Sequence, residues 1–191
     1  AMGSKFKDSK KYAIKYADVV TQSYHPVKHI TTGEGGAIFT NCSRLNEKVK
    51  ILRSHGMVRN VNSKTRSKPW EYEMKEIGYN YRITDFQCAL GSSQLKKLDQ
   101  FIKLRRRIAR FYDDSFNNFG HFTAPKVVEN LYHSYHLYPL KILFKDLKIS
   151  KTNFFNKMEQ HGIKLQVHYK PVHTQPFYKQ KYGFYLGQYP V

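Results

Sequence analysis

Lys28 stands in the run Ser23-Tyr24-His25-Pro26-Val27-Lys28-His29-Ile30-Thr31-Thr32-Gly33-Glu34-Gly35-Gly36. A lysine near its ordinary pKa of about 10.4 is a poor nucleophile at neutral pH. Desolvation or a nearby positive charge lowers that pKa, and the free amine can then form an imine with a carbonyl. The covalent aldehyde cofactor that exploits such an imine is pyridoxal phosphate, whose ring draws electrons from a substrate carbon. A site of that kind needs a lysine on a constrained turn, hydroxyl or amide donors for a phosphate, and backbone that can come close. Ser23, Thr31, Thr32, Gly33, Gly35 and Gly36 supply those types around Lys28. The pattern alone also fits a solvated surface lysine. It is no Walker loop, because the glycines follow the lysine rather than precede it.

The elements that would position this lysine are legible in outline. Residues 17–24 and 36–40 read as short β segments, with Pro26 and the Gly-rich loop between them. A helix is expected over 43–55, with Ser43 as N-cap, Leu45, Val49 and Leu52 on one face, and Gly56 as its stop. Residues 57–76, with Asn60, Asn62, Ser63, Ser67 and Pro69, read as a loop. A long helix is expected from about Thr84 to Asn117, opened by a Thr84/Gln87 capping box. Leu95, Leu98, Ile102, Ile108, Phe111 and Tyr112 keep its apolar stripe, leaving Arg105, Arg106 and Arg107 to its solvated side or a subunit contact. After about residue 120 the pattern changes to a strand at 134–144, a helix at 151–161 ended by Gly162, and a strand at 163–169. The last twenty residues show no regular period, and Pro190-Val191 follow no capped element. The order is mixed α/β with a hinge near 120.

Composition bounds the partners. The 191 residues suit one ordinary domain or two small ones, and 40% hydrophobic content supports a core. The net charge of +19 comes from 33 Lys+Arg against 14 Asp+Glu, so scarce acids matter as much as abundant bases. A basic balance fits a nucleic-acid binder, evenly solvated lysine-rich faces, or a small acidic ligand steered by the positive field. The basic runs are short and apart, and no zinc spacing, RRM-like aromatic pair or helix-turn-helix signal favours nucleic acid. Cys42 and Cys88 make neither a metal pair nor a disulfide framework, so no metal and a reducing, cytoplasmic setting are expected. No run approaches a membrane span of about 18 apolar residues, and the first twenty residues are too polar for a signal peptide.

Four blocks, in order, resemble the DegT/DnrJ/EryC1/StrS family of sugar aminotransferases. Ser23 to Lys28 followed by Thr32-Gly33-Glu34-Gly35-Gly36 resembles its cofactor-lysine motif. Leu52-Arg53-Ser54-His55-Gly56-Met57 is similar to its segment after the first helix. Gly78-Tyr79-Asn80-Tyr81-Arg82 resembles its G-x-N-Y-R motif, extended by Ala89-Leu90-Gly91 and Gln94-Leu95. Gln166-Val167-His168-Tyr169 with Pro171-Val172-His173 resembles its substrate segment.

The resemblance implies an α/β fold of the aspartate-aminotransferase type (fold type I). Residues 1–120 would be the C-terminal part of a large, mainly parallel cofactor domain, and 121–191 part of a small domain. It implies pyridoxal 5'-phosphate held by Lys28, and Ser23 at the cofactor phosphate or beside the sugar. It implies Asn80 at the phosphate of a neighbouring subunit's cofactor, hence a homodimer with composite sites. Without the family, an isolated Asn before a helix reads as a cap and a His in a strand as a packed or surface residue. Ser23, Asn80, Gln166, Val167, His168 and Tyr169 would meet the nucleotide sugar. Within the family the similarity is greatest to members of pseudaminic acid synthesis, which move an amino group, with glutamate as donor, to C4 of a UDP-4-keto-6-deoxy sugar. Another keto sugar, 4-keto or 3-keto, is the alternative. Family members are about twice this length, so the chain is expected to be an internal piece, with Ala1-Met2-Gly3-Ser4 native rather than a vector scar. Small-domain helices are expected beyond Val191. The acid that pairs with the pyridine nitrogen, the stacking residue and most phosphate donors are expected upstream.

Overall fold

The computed structural model describes residues 1–11, 13–59 and 70–189. The chain divides into two compact units: residues 1–114 with 126–138, and residues 115–125 with 139–191. Asn60, Asn62, Ser63, Ser67 and Pro69 of the expected loop, and Pro190-Val191, lie outside the described residues.

In the first unit β1 (Lys5–Phe6) pairs antiparallel with β7 (Leu131–Tyr132), and β2 (Val20–Ser23) with β3 (Gly36–Phe39). β4 (Met57–Val58) pairs with β5 (Glu73–Met74) in the same sense. In the second unit β6 (Phe122–Thr123) pairs with β8 (Lys141–Ile142). All four ladders are two-stranded and antiparallel, so the mainly parallel sheet expected of the first segment is not formed among the described residues. Parallel pairing needs long crossovers; β2 and β3 instead meet as a hairpin.

The expected first helix is α1, Ser43–Arg53. Its N-cap is Cys42, not Ser43: Cys42 carries the extended backbone, and its side chain makes no cap bond. The long helix is two, α2 (Asp85–Lys96) and α3 (Leu98–Phe116). At Lys97 the N–H bonds back three residues, to Gln94, a tightening to which an apolar stripe is blind. The capping box is present. Thr84 Oγ1 accepts from Gln87 N–H, and Gln87 Oε1 accepts from Thr84 N–H at 3.0 Å. On α3, Ile102 and Ala109, seven residues apart on one face, are buried.

Arg105 and Arg106 are half-buried, contrary to the solvated role read from the stripe. Arg106 donates to the His133 carbonyl at 2.8 Å and lies 4.0 Å over the Tyr132 ring. Arg105 donates to the Tyr135 and His136 carbonyls at 3.2 and 3.3 Å. These contacts also explain why 134–144 is not one strand. Carbonyls that a ladder would use are taken by guanidinium groups, and Pro139 has no N–H to give. Only its end, Lys141–Ile142, pairs.

In the second unit α4 (Lys151–Gln160) is capped by Ser150, whose Oγ accepts from Asn153 N–H at 3.1 Å, and is followed by Gly162 at φ 75°. Residues 163–169 alternate as a strand would but pair with none among the described residues. Alternation describes one chain, whereas a strand needs a neighbour. The tail expected to be irregular holds α5, Pro176–Tyr182, with proline at its start and left-handed Gly183 at its end. Among the described residues no helix is long and apolar enough to cross a membrane.

Candidate functional site

Lys28 lies in the connection between β2 and β3. Ser23, the last residue of β2, pairs with Gly36, the first of β3, so residues 24–35 form a loop closed at its base. A side chain at Gly36 would press on the Gln22 carbonyl, 2.7 Å from where its Cβ would stand. Inside the loop Tyr24 N–H donates to the Gly35 carbonyl at 2.9 Å, and Thr32 N–H donates to the Tyr24 carbonyl at 3.0 Å. Lys28 N–H donates to the His25 carbonyl at 2.9 Å, which makes a turn of His25-Pro26-Val27-Lys28. The proline favours that turn, and the following His29 and Ile30 are buried and anchor it.

The threonines hold the far side. Thr31 Oγ1 donates to the Tyr24 carbonyl and accepts from Gly33 N–H. Buried Thr32 donates to the Glu34 carbonyl at 2.7 Å. Gln87 of α2 donates to that same carbonyl at 2.9 Å. Gly91 of α2 fits against Thr32: a Cβ there would lie 2.8 Å from Thr32 Cγ2. The glycines thus serve close approach, while the threonines supply the hydrogen bonds that shape the loop.

Lys28 is half-buried and lines a cavity of about 1010 Å³ together with Ser23, His29, Thr40 and His136. Ser23 Oγ accepts from His25 N–H at 3.3 Å and keeps its own O–H to donate. Lys28 Nζ is 3.5 Å from His136 Nε2. The His29 and His136 rings stand 5.6 Å apart, and His29 Nε2 is 3.0 Å from the Ser134 carbonyl. Ser134, fully buried, meets buried Ser4 at 2.9 Å between hydroxyl oxygens. Burial pushes the His29 pKa below its ordinary 6.5 against the pull of the Ser134 carbonyl, and positive Arg105, His136 and the N-terminus push the same way as burial. Tyr24, also pushed by burial, has its pKa raised.

The structure brings Ser23 and Lys28 to one cavity. Asn80 does not line it. Asn80 is exposed, in a segment laid against the end of α1. Tyr79 N–H donates to the Leu52 carbonyl at 2.7 Å, and Tyr81 N–H to the Arg53 carbonyl at 3.0 Å. Gly56 and Gly78 allow this, since a Cβ on Gly56 would collide with the Glu76 backbone and one on Gly78 with the backbone of His55 and Gly56. Asn80 caps no helix; Thr84 does. Gln166, Val167, His168 and Tyr169 belong to the second unit and are exposed, with the His168 and Tyr169 rings stacked 4.4 Å apart. His29 and His136 are site residues that the sequence reading passed over. Their signal was a histidine beside the lysine and another in an otherwise apolar run.

An amine and a hydroxyl on the wall of a cavity this size fit a small aldehyde that bears a phosphate. The family model for the DegT/DnrJ/EryC1/StrS aminotransferase family matches residues 1–191. The UDP-4-amino-4,6-dideoxy-N-acetyl-beta-L-altrosamine transaminase of Campylobacter jejuni is 42% identical over 183 residues, 96% of this chain and 46% of that protein. PseC of Helicobacter pylori, an aminotransferase involved in the biosynthesis of pseudoaminic acid, superposes with a TM-score of 0.83 at 35% identity, over 100% of this chain and 48% of that one. A Streptococcus pneumoniae protein named as a sugar aminotransferase, solved in PMP and PLP forms, matches with a TM-score of 0.82 at 26% identity, over 94% of this chain and 46% of that one. The chain spans about half the length of the curated relatives it matches.

Proposed function

The chain belongs to the DegT/DnrJ/EryC1/StrS aminotransferase family, and its fold is part of the fold type I aminotransferase architecture; on that premise we propose that the whole protein is a cytoplasmic, pyridoxal-phosphate-dependent sugar aminotransferase. It moves an amino group from L-glutamate to C4 of a UDP-4-keto-6-deoxy-N-acetyl-hexosamine, in a pathway of the pseudaminic acid kind. The observation that carries this reading is Lys28, set by a closed hairpin loop on the wall of a cavity that also takes Ser23.

When bound, the cofactor supplies an electron sink for the substrate carbon. This chain's residues do the rest. Lys28 would hold the aldehyde of that group through Nζ, and the same Nζ would take up and give back the proton that transamination moves. Ser23 donates its O–H to the phosphate. The loop held by Thr31 and Thr32 fixes the reach of Lys28. Asn80, exposed on its own segment, serves the site of a second subunit in a homodimer. Gln166, Val167, His168 and Tyr169 meet the nucleotide sugar.

The test is direct. The whole protein is incubated with glutamate and UDP-linked 4-keto sugars, with other nucleotide-linked keto sugars beside them. An amino sugar forms from the UDP-4-keto-6-deoxy substrate. Product only from another keto sugar would move the substrate within the family, and product from none would overturn the reading.

A further inference from the structure

Lys28 has a second neighbour besides the cavity. Its Nζ lies 3.5 Å from Nε2 of His136, a residue 108 positions later, and both are half-buried. The backbone that carries the imidazole is held from several sides. Arg105 Nη1 grips the carbonyls of Tyr135 and His136. Ser134, two residues before it, is buried and tied to Ser4 and His29. The His29 ring is 5.6 Å away, tilted by 48°. A lysine amine on a four-carbon stem is otherwise free to turn among many rotamers.

Arg105 from α3, His136 and the N-terminus act on the neighbouring His29, and Lys10 and Lys11 line the same cavity; all are cationic when charged. No carboxylate is among the residues that line this cavity. An ammonium on Lys28 therefore meets no carboxylate along that lining, and the His136 ring nitrogen stands within reach as an acceptor. With the imidazole proton on Nδ1, Nε2 accepts from the Lys28 amine.

We propose that His136 is a positioning residue for Lys28: its Nε2 receives the lysine amine whenever that amine is not bonded to a carbonyl, and keeps it aimed into the cavity. This rests on the reading of Lys28 as the carbonyl-binding lysine. In a transamination of two halves the amine must let go and return once per cycle, so an amine without a resting place would return slowly. Orientation of this kind is worth about tenfold or more in rate when a reacting group is misplaced by as little as 1 Å.

The experiment uses the whole protein, stripped of cofactor, with pyridoxal phosphate added and the visible absorbance of the imine followed by rapid mixing. His136→Phe keeps a ring and removes the acceptor; His136→Gln keeps an acceptor. Circular dichroism and melting verify the fold of each. His136→Phe captures the aldehyde about tenfold more slowly but reaches the same final absorbance per subunit. His136→Gln recovers most of the rate. Capture by folded His136→Phe at the unaltered rate overturns the proposal. So does a folded His136→Gln that is as slow as His136→Phe, because the ring would then act through packing alone. No capture by the unaltered protein refutes the reading of Lys28 itself, and this proposal falls with it. If His136→Phe does not fold, Lys28→Met decides. Carbethoxylation of His136 by diethyl pyrocarbonate, read by mass spectrometry, is several-fold faster in Lys28→Met than in the unaltered protein. An unchanged rate overturns the proposal.

Discussion

In the proposed reaction Lys28 has to do two things, hold an aldehyde and move a proton, and no other amine lies in the loop of residues 24–35. Lys28→Ala is therefore expected to abolish turnover, since general acid–base help alone is typically worth about 10²–10⁴-fold. Lys28→Arg fails as well, because a guanidinium stays protonated and forms no imine. Borohydride reduction followed by peptide mass spectrometry places the cofactor on Lys28 in the unaltered protein; an adduct on another lysine refutes the assignment. A second prediction concerns His29. Its folded pKa lies below 6.5, chiefly through burial, so the folded state binds fewer protons than the unfolded one near pH 6. Its contribution to stability is complete above about pH 6.5 and is lost as pH falls toward the folded value. His133, lowered first by burial and then by the positive N-terminus and Arg106, adds in the same direction. Urea midpoints should fall from pH 7 to pH 5, and His29→Gln, which keeps a donor for the Ser134 carbonyl, should flatten that fall in part. An equal slope in both proteins counts against it. That Lys28 and Ser23 stand at one cavity was legible because both belong to one short run. His136 was not, because its link to Lys28 spans 108 residues and depends on Arg105, which the helical stripe assigned to solvent or a subunit contact.

At the scale of elements, local chemistry was most legible where two side chains within one turn answer each other. Thr84 and Gln87 close on each other as the capping-box spacing predicts; Ser150, which closes on Asn153, was not singled out, and Ser43 was taken for the cap that Cys42 supplies. Elements that depend on a distant neighbour read poorly. Residues 163–169 lack a pairing strand among the described residues, and 134–144 gives the carbonyls of Tyr135 and His136 to Arg105. α5 had both its signals, Pro176 and Gly183, but its aromatic residues have no clean helical stripe. The capping box makes a testable case because α2 buries none of its residues, so its stability leans on local terms. Thr84→Ala should destabilise α2 by about 1 kcal/mol. Amide exchange over residues 85–90 is expected to speed up about fivefold, with Thr84→Ser close to the unaltered protein. Unchanged exchange in Thr84→Ala would show that tertiary packing, not the cap, holds the helix start.

The whole chain is short of partners for its apolar surface. The buried apolar side chains among the described residues are Ile30, Ile102 and Ala109, a core too small for the 40% hydrophobic content. Large apolar residues stand open instead, and several fall in one stretch around the start of α2. Ile77 is 87% exposed, Tyr81 71% and Phe86 91%. Polar flanks do not account for them, and the loop of Asn80 lies in their midst. In the proposed homodimer this stretch is the contact that carries Asn80 to the second site, and such contacts are rich in aromatic anchors. Phe86 makes the sharpest test. Being 91% exposed, it contributes little to the fold of a single chain, so Phe86→Glu should leave melting of the isolated subunit nearly unchanged. A carboxylate buried without a partner at an interface costs several kcal/mol, and the two-fold axis of a dimer applies that cost twice. Analytical ultracentrifugation of the whole protein should therefore show Phe86→Glu moving from dimer toward monomer at micromolar concentration. Turnover should fall with the dimer and return as protein concentration rises. A Phe86→Glu protein that stays dimeric and active would place the contact elsewhere and leave Asn80 without its role.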